Sequence, residues 1–143
     1  MAVDRLFVDT WAWLVLANRL DPAFESVSRL RAAATGQPGA WVTTDYVLDE
    51  TFTRLFASAP FPAARRFSEG IFEASRQELL DIEHVTPERF SQAWRLRVRY
   101  HDKPRISFTD LTSFVVMREL RVDRVLTADA HFQQVGMGFH RVP

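Results

Sequence analysis

The sequence predicts an α/β fold in which a short parallel β-sheet is flanked by helices. The first observation is alternation: short apolar runs that suit buried strands are separated by longer segments whose apolar residues recur at helical spacing. The second is length, because 143 residues are enough for one domain with a substantial core. The third is composition, since 47% apolar and 25% charged residues are an ordinary globular balance. We therefore expect a single domain over residues 1–143, with parallel strands joined through helices.

The first half of the chain carries clear helix signals between its strands. Pro22 suits a first helical position after a cap at Asp21. Apolar residues recur at helical spacing through residues 48–56, and the run APFP at 59–62 ends that pattern, which predicts an antiparallel helix pair. In chain order we predict a strand at residues 5–8, helices at 10–17 and 22–34, a loop at 35–39, a strand at 41–43, a helix at 44–57 and a further helix ending near residue 75.

The second half repeats the alternation. Thr86 is a favoured cap residue directly before Pro87, which predicts the start of a helix there. The run that follows this helix is polar and reads as a loop. We predict a strand at residues 79–82, a helix at 87–99, the loop at 100–105, a helix at 109–120, a strand at 124–126, a short helical turn after Asp129 and a last strand at 139–142.

Composition excludes several classes of protein. The chain has 18 Lys and Arg against 18 Asp and Glu, so its zero net charge is not that of a protein that coats nucleic acid non-specifically. It has no cysteine, which excludes disulfides and thiolate metal sites. The longest unbroken apolar run, residues 11–17, is too short to cross a bilayer, and the first residues do not read as a signal peptide. We expect a soluble, cytoplasmic protein.

Three carboxylates occupy related positions in the predicted fold. Asp9 and Asp129 each follow an apolar strand, and Asp110 opens a helix in phase with Phe114 and Met117 on its apolar face. Each has an ordinary structural explanation as a helix cap or turn residue. In a parallel α/β sheet, however, ligands bind in the crevice outside the carboxyl ends of the strands. We therefore expect the three side chains to converge at one edge of the sheet.

Crowded carboxylates repel one another, so they either take up protons or require a cation. Oxygen ligands without Cys or His favour Mg²⁺ or Mn²⁺ over zinc. The histidines show no metal-ligand spacing, and we expect each of them at the surface: His84, His101, His131 and His140.

A fourth acid belongs to the segment TTDYVLDETFTRL, where three candidates compete. Asp45, Asp49 and Glu50 all lie on the predicted helix at 44–57, and helical phase selects none of them. An ion pair between Glu50 and Arg54 on a solvated face is an equally ordinary arrangement.

Four segments in order carry a resemblance to a known family. FVDTWAWL, TTDYVLDETFTRL, ISFTDLTSFVVMREL and VLTADAHFQQVGMGF resemble the PIN-domain ribonucleases, and more narrowly the VapC-type toxins of bacterial and archaeal toxin–antitoxin pairs. The resemblance implies a PIN-like three-layer α/β/α domain. It also implies that the four acidic positions of the site are Asp9, Glu50, Asp110 and Asp129, with Asp45 and Asp49 left open as residues that share the role of Glu50. Thr10 and Thr109 are hydroxyls beside matching acids that would orient water.

The resemblance implies hydrolysis of RNA phosphodiester bonds with Mg²⁺ or Mn²⁺, the acids holding metal and Glu50 either holding metal or orienting water. It also implies a homodimeric toxin that inhibits translation or growth and is held inactive by an antitoxin lying in an apolar groove. We expect such a groove near the aromatic-rich helices that carry Phe52, Phe56, Phe61, Phe67 and Phe72.

A basic cluster precedes the Asp110 helix and could hold RNA, with arginines on phosphates and a tyrosine stacked on a base. A solvated helix face is the alternative explanation of such a cluster. The candidate RNA-binding residues are Arg95, Arg97, Arg99, Tyr100, Lys103 and Arg105.

Two other functions compete with the nuclease. A haloacid-dehalogenase-type phosphatase also begins with Asp after its first strand, but it needs a second Asp two residues later, where this chain has Trp11. A PIN-like module that binds RNA or protein without cleaving it is the other alternative, although all four acidic positions are filled.

Overall fold

The first strand lies at the centre of the sheet in the computed structural model, which describes residues 5–34 and 37–143. Within those residues the sheet has five strands in the order β3-β2-β1-β4-β5, and every neighbouring pair is parallel. The register places Phe7 opposite both Val42 and Val125. The predicted parallel α/β sheet is therefore confirmed. The strands are β1 (Leu6–Val8), β2 (Trp41–Thr44), β3 (Leu80–Glu83), β4 (Arg124–Leu126) and β5 (His140–Val142).

Helices connect the strands at nearly the predicted bounds. The second helix begins two residues later than predicted, because Asp21 accepts a hydrogen bond from the backbone N–H of Ala23 at 2.8 Å in a turn that precedes the helix. Of the predicted loop at 35–39, Thr35 and Gly36 lie outside the described residues. The helices are α1 (Thr10–Leu16), α2 (Phe24–Ala34), α3 (Asp45–Ser58), α4 (Phe61–Arg76), α5 (Pro87–Arg99), α6 (Phe108–Leu120) and α7 (His131–Gln134).

The direction of the connections reverses once, and this produces two helical layers. From β1 the chain steps outward to β2 and β3, and then returns across the sheet to β4 and β5. Because crossovers between parallel strands are right-handed, helices α1 to α4 cover one face and α5 to α7 the other. The strand order reverses between β1 and β4, and this is where such sheets open a crevice at their carboxyl ends.

The core fixes the elements that surround this crevice. All three residues of β1 are buried, and so are residues 111–117 of α6. The ring of Phe114 lies 4.9 Å from that of Phe132 and 5.6 Å from that of Phe139, measured between centroids. Since aromatic side chains contribute much of the apolar area that a core buries, these contacts hold α7 firmly against α6.

Helices α3 and α4 form the predicted antiparallel pair. Phe56 near the end of α3 lies 6.1 Å from Phe61 at the start of α4, and Phe52 lies 5.7 Å from Phe72 further along. None of the helices in the described part of the chain is long and apolar enough to cross a membrane.

Candidate active site

Asp9 lies at the carboxyl end of the central strand, where it occupies the N-cap position of α1. Its backbone C=O accepts hydrogen bonds from Ala12 and Trp13, but its side chain makes no cap hydrogen bond. Instead, its Oδ2 accepts a hydrogen bond from the hydroxyl of Thr127 at 2.8 Å. The carboxylate therefore points toward the end of β4, which capping alone does not explain.

Burial dominates the electrostatics of Asp9, which is 7% exposed. Loss of solvent raises the pKa of Asp9 from 3.8 to about 6, although the hydrogen bond from Thr127 and one from the backbone of Thr10 favour the charged form. The negative charges of Glu50 and Asp129 raise this pKa further. The charges of both acids therefore act on the buried carboxyl group of Asp9.

Asp110 enters the same crevice from α6. The hydroxyl of Ser107 caps the helix by accepting a hydrogen bond from the Asp110 backbone N–H at 3.0 Å, which leaves the carboxylate available. Burial raises the pKa of Asp110 to about 7, and repulsion from Asp9 and Asp129 adds to the effect. A carboxyl group that resists ionisation in the absence of a cation is a natural position for a cation to bind.

Asp129 is held at the end of β4 by a turn. Its backbone N–H donates to the hydroxyl of Thr127 at 3.1 Å, and its Oδ1 accepts from the backbone N–H of His131 at 2.9 Å. The Thr127 hydroxyl therefore donates to Asp9 and accepts from Asp129. Sequence analysis did not identify Thr127, which lies two residues before Asp129 and makes its hydrogen bond to Asp9 across 118 positions of the chain.

His131 corrects an expectation, because only 24% of its side chain is exposed and its ring lies beside two of the acids. Its Nδ1 is buried and has no hydrogen-bond partner among the described residues, although it lies 3.1 Å from Asp129 Oδ1 and 3.5 Å from Asp110 Oδ2. The ligand atoms of Asp110, Asp129 and His131 all lie within 4.8 Å of one another. Two carboxylates and an unpartnered imidazole nitrogen form a donor set that fits a divalent cation. The expectation of Mg²⁺ or Mn²⁺ assumed a site of oxygen ligands alone. Because this site includes an imidazole nitrogen, its ligands also suit other divalent metals.

The structure distinguishes the three acids of α3. Asp45 Oδ1 accepts backbone hydrogen bonds from Tyr46 at 3.0 Å and from Val85 at 2.9 Å, so its carboxylate joins α3 to the segment after β3. Asp49 is exposed. Glu50 is the acid whose charge acts on Asp9, and it also lies 3.7 Å from Arg54 in an exposed i,i+4 ion pair. Its position beside the crevice supports Glu50 as the fourth acid.

The two threonines predicted to orient water have different surroundings. The Thr10 hydroxyl donates to the backbone C=O of Val47 at 3.3 Å, an acceptor that it shares with the Thr51 hydroxyl, and this ties α1 to α3. Thr109 contributes its backbone C=O to hydrogen bonds from Thr112 and Ser113. Orientation of water by Thr109 stays a prediction, whereas the Thr10 hydroxyl is already engaged by α3.

The basic cluster divides into structural and exposed members. The guanidinium of Arg97 donates to the backbone C=O groups of Tyr100 and Ile106, both at 2.6 Å, and of Lys103 at 2.8 Å. Tyr100 is buried and its hydroxyl donates to the C=O of Val135 at 3.1 Å, so the predicted stacking of its ring on a base does not fit. Lys103 is half-buried and pairs with Asp102. The exposed cationic side chains of the cluster are Arg95, Arg99 and Arg105.

An apolar groove lies on the other helical layer, between α1, α2 and α4. Its cavity has a volume of about 610 Å³, and Phe67 lines it, whereas the other aromatics expected there pack in pairs between α3 and α4. Trp41 also lines the groove, and its buried indole N–H has no hydrogen-bond partner among the described residues. The other lining residues include Trp13, Leu16, Ile71 and Leu80, with Arg19, Arg31 and Arg66.

Comparison with known proteins gives consistent results. Residues 6–137 match the family model described as PIN domain. The 23S rRNA-specific endonuclease VapC20 of Mycobacterium tuberculosis is 35% identical over 136 residues, which cover 92% of this chain and 94% of the relative. The crystal structure of M. tuberculosis VapC20, described as a sarcin-ricin loop cleaving toxin, superposes with a TM-score of 0.75 and 34% identity, covering 92% of this chain and 95% of that one.

Proposed function

The chain belongs to the PIN-domain family, and from this we propose that it is a divalent-metal-dependent endoribonuclease that acts as the toxin of a toxin–antitoxin pair. The observation that carries the proposal is the gathering of Asp9, Asp110 and Asp129 at the switch point between β1 and β4, with Glu50 beside them. Mutual repulsion and burial make this arrangement unfavourable for free carboxylates and favourable for a bound cation.

Each side chain has a defined part in the proposed chemistry. Asp9, Asp110 and Asp129 hold the metal, for which we propose Mg²⁺ or Mn²⁺, and the Nδ1 of His131 is available as a further ligand. When bound, the ion polarises phosphoryl oxygens and activates water for attack on phosphorus. Glu50, whose charge acts on Asp9, would hold the metal or orient the attacking water. The Thr127 hydroxyl keeps the carboxylate of Asp9 in position.

We propose ribosomal RNA as the substrate class to test first. The support is the similarity along nearly the whole chain to VapC20, whose name states that it acts on 23S rRNA. Exposed guanidinium groups at Arg95 and Arg105 can pair with phosphates near the N-terminus of α6, which carries Asp110. An enzyme with this substrate would act in the cytoplasm and block translation.

The groove between α1, α2 and α4 is the surface that we propose for the antitoxin. Its floor is apolar, three arginines line it, and the N–H of Trp41 lacks an acceptor among the described residues. A partner segment with apolar side chains and acidic neighbours would bury the floor and complement the arginines. We therefore expect the antitoxin to contact the helical layer formed by α1 to α4.

Cleavage of purified ribosomes or ribosomal RNA tests the main proposal. We expect specific fragments with Mg²⁺ or Mn²⁺, none with EDTA, and none from Asp9→Asn under any of these conditions. Asp45→Asn is the matched control, because the Asp45 carboxylate serves backbone N–H groups and an amide oxygen can still accept them. Cleavage by Asp9→Asn equal to that by the wild type would contradict the proposal.

The two rival functions give different results in this assay and in a parallel assay with a phosphomonoester. A phosphatase would release phosphate from a phosphomonoester and leave RNA intact. A non-catalytic module would bind RNA in the presence of either metal and would not shorten it.

A further inference from the structure

A recess at the end of α5 combines an exposed indole ring with an apolar wall. Trp94 is 58% exposed and Val98, one helical turn later, is 55% exposed. With residues of the following loop they line a cavity of about 500 Å³, which is within the size range of sites for small organic groups. We call this cavity the α5 recess, and its lining residues are Trp94, Arg97, Val98, His101 and Pro104.

We propose that an unpaired base of the RNA substrate stacks on the indole of Trp94 in the α5 recess, a proposal that rests on the ribonuclease function proposed above. Every nucleobase has a flat π-face, and stacking on an exposed aromatic side chain is a common way for proteins to hold single-stranded RNA. Tyr100, which the sequence suggested for this contact, is buried and donates its hydroxyl to Val135. Trp94 offers an exposed aromatic face six residues earlier in the same segment.

The recess lies at the end of α6 that carries the acidic crevice. Arg89 at the start of α5 pairs with Glu119 at the far end of α6, so the two helices run antiparallel. Near the end of α5, Arg97 donates to the backbone C=O of Ile106 at 2.6 Å, directly before α6 begins. Asp110 lies in the first turn of α6. A strand of RNA cut at the crevice can therefore extend over the loop between α5 and α6 to the recess.

Exposed cations lie beside the recess and complement the phosphates on either side of a bound base. Arg95 and Arg99 follow Trp94 by one and five residues, and Arg105 follows Pro104 directly. All three are exposed, and no carboxylate within residues 5–34 and 37–143 pairs with them. Guanidinium groups bind phosphate well, and such contacts position a nucleic acid without reading its sequence. An apolar recess bordered by these charges favours RNA over an apolar peptide as its occupant.

His101 gives the recess a polar edge. Its exposed imidazole can exchange hydrogen bonds with the edge of a stacked base, which is how single-stranded RNA is read by sequence. Arg97 has a different part, because its guanidinium is already occupied by three backbone C=O groups of the loop. It therefore holds the wall of the recess in place and leaves phosphate binding to the exposed arginines.

Binding of short single-stranded RNA in EDTA tests the proposal. The probes are fluorescein-labelled oligo(A), oligo(U) and oligo(C) of about ten nucleotides, with an abasic ribose-phosphate oligomer of the same length. We expect Trp94→Ala to raise the Kd of the best-bound oligonucleotide roughly 5- to 150-fold, and Trp94→Phe, which keeps an aromatic face, to raise it much less. The abasic oligomer should bind the wild type and Trp94→Ala equally weakly.

Phe61→Ala is the matched control, since Phe61 is 63% exposed on α4 and lies outside the recess, and we expect it to bind like the wild type. Far-UV circular dichroism should be the same for all variants. An unchanged Kd of Trp94→Ala for all three oligonucleotides overturns the proposal, and so does an equal loss of affinity for the abasic oligomer.

The salt dependence of binding separates stacking from the placement of charges. Trp94→Ala removes no cation, so we expect the slope of log K against log salt concentration to stay at the wild-type value. Arg99→Gln and Arg105→Gln should each reduce the magnitude of that slope by about 0.7, the value for one phosphate contact on a single strand. A reduced slope for Trp94→Ala would show that the indole acts only by placing the arginines, and it overturns stacking.

Failure of this proposal and failure of the nuclease proposal give different results, because binding is measured without metal. Base-dependent binding through Trp94 by a chain that cleaves no RNA supports the recess and refutes the nuclease. Cleavage of ribosomal RNA by a chain whose Trp94→Ala variant binds RNA normally keeps the nuclease and refutes the recess. If Trp94→Ala instead changes the mass found by sedimentation velocity and leaves RNA affinity unchanged, a protein covers the recess and the proposal is wrong.

Discussion

At the scale of the residue, the acid with the most strongly raised pKa offers a direct test of metal binding. The pKa of Asp110 is raised to about 7 in the folded chain, so its neutral form is favoured by folding. This contribution to stability is complete below the unfolded pKa of 3.8 and is lost as the pH rises through about 7. Each unit of pKa difference corresponds to about 1.4 kcal/mol.

We therefore predict that Asp110→Asn is more stable than the wild type in EDTA at about pH 8, and that the difference in unfolding free energy shrinks toward about pH 4. The amide stays neutral at every pH, whereas the carboxyl must ionise while buried. Denaturant unfolding at the two pH values measures this, with the exposed Asp123→Asn as control. Adding Mg²⁺ or Mn²⁺ should raise the Tm of the wild type and not that of Asp110→Asn. A variant that is less stable at pH 8 would show that the carboxylate is not destabilising there.

Thr127 is a positioning residue, and its hydroxyl is the group to remove. Thr127→Val keeps the shape but loses the hydrogen bond to Asp9 and the acceptor for the Asp129 N–H. We predict a roughly 10- to 100-fold lower kcat, as for other residues that orient metal ligands. Because the Thr127 hydrogen bond lowers the pKa of Asp9, the acidic limb of the pH–rate profile should also move to higher pH. Thr127→Ser should restore both, and a kcat change without that shift would indicate a merely structural role.

At the scale of the element, Arg97 closes the loop between α5 and α6. Its donors reach three backbone C=O groups of residues 100–106, which fixes the loop that leads to the Asp110 helix. Charged donors to backbone acceptors contribute about 1.5–3 kcal/mol each at most, and Lys cannot reproduce the planar fork of donors.

We predict that Arg97→Lys lowers the free energy of unfolding by about 1–3 kcal/mol, because partly buried C=O groups lose their donors. Arg95→Ala should leave stability unchanged and weaken RNA binding, since Arg95 is exposed. Chemical denaturation and RNA affinity separate the two effects. The opposite assignment, with Arg97→Lys affecting affinity and not stability, would identify Arg97 as a phosphate ligand.

The bounds of the helices and strands can be predicted from the sequence, whereas the side-chain contacts between them cannot. Strands and helices follow from local periodicity, so their bounds are nearly right: α5 begins after Thr86, whose hydroxyl accepts from the Arg89 N–H as a cap should. Asp9 and Asp129 were identifiable because each follows a strand whose end the topology places at the crevice. The positions of Thr127 and His131 in the site depend on side-chain contacts between elements, which leave no periodic signal in the sequence. The prediction that Tyr100 stacks on a base is wrong for the same reason, because the local sequence does not show whether an aromatic ring among arginines is exposed or buried.

At the scale of the whole molecule, the surface proposed for the antitoxin is separate from the acidic crevice. The groove lies among α1, α2 and α4, and none of the four acids of the candidate site lines it.

Gly70 allows the groove to be closed without disturbing the fold. It lies within α4 and lines the groove, and apart from its chain neighbours and the backbone of α4 nothing lies within 4 Å of where its Cβ would be. Gly70→Leu should fill the groove and weaken antitoxin binding while RNA cleavage continues. Gly70→Ala is the control, expected to bind normally and to gain roughly 0.5–1 kcal/mol of stability from its higher helix propensity. Co-expression in cells gives the readout: the antitoxin should rescue growth with Gly70→Ala and not with Gly70→Leu.

The hydrogen bond between Thr127 and Asp9 joins residues near opposite ends of the chain, across 118 positions. During synthesis, Asp9 leaves the ribosome long before Thr127 is made, so a nascent chain has no complete catalytic centre. The RNA cleavage that we propose therefore requires synthesis to continue past Thr127, and a fragment that ends earlier lacks the hydrogen bond that orients Asp9.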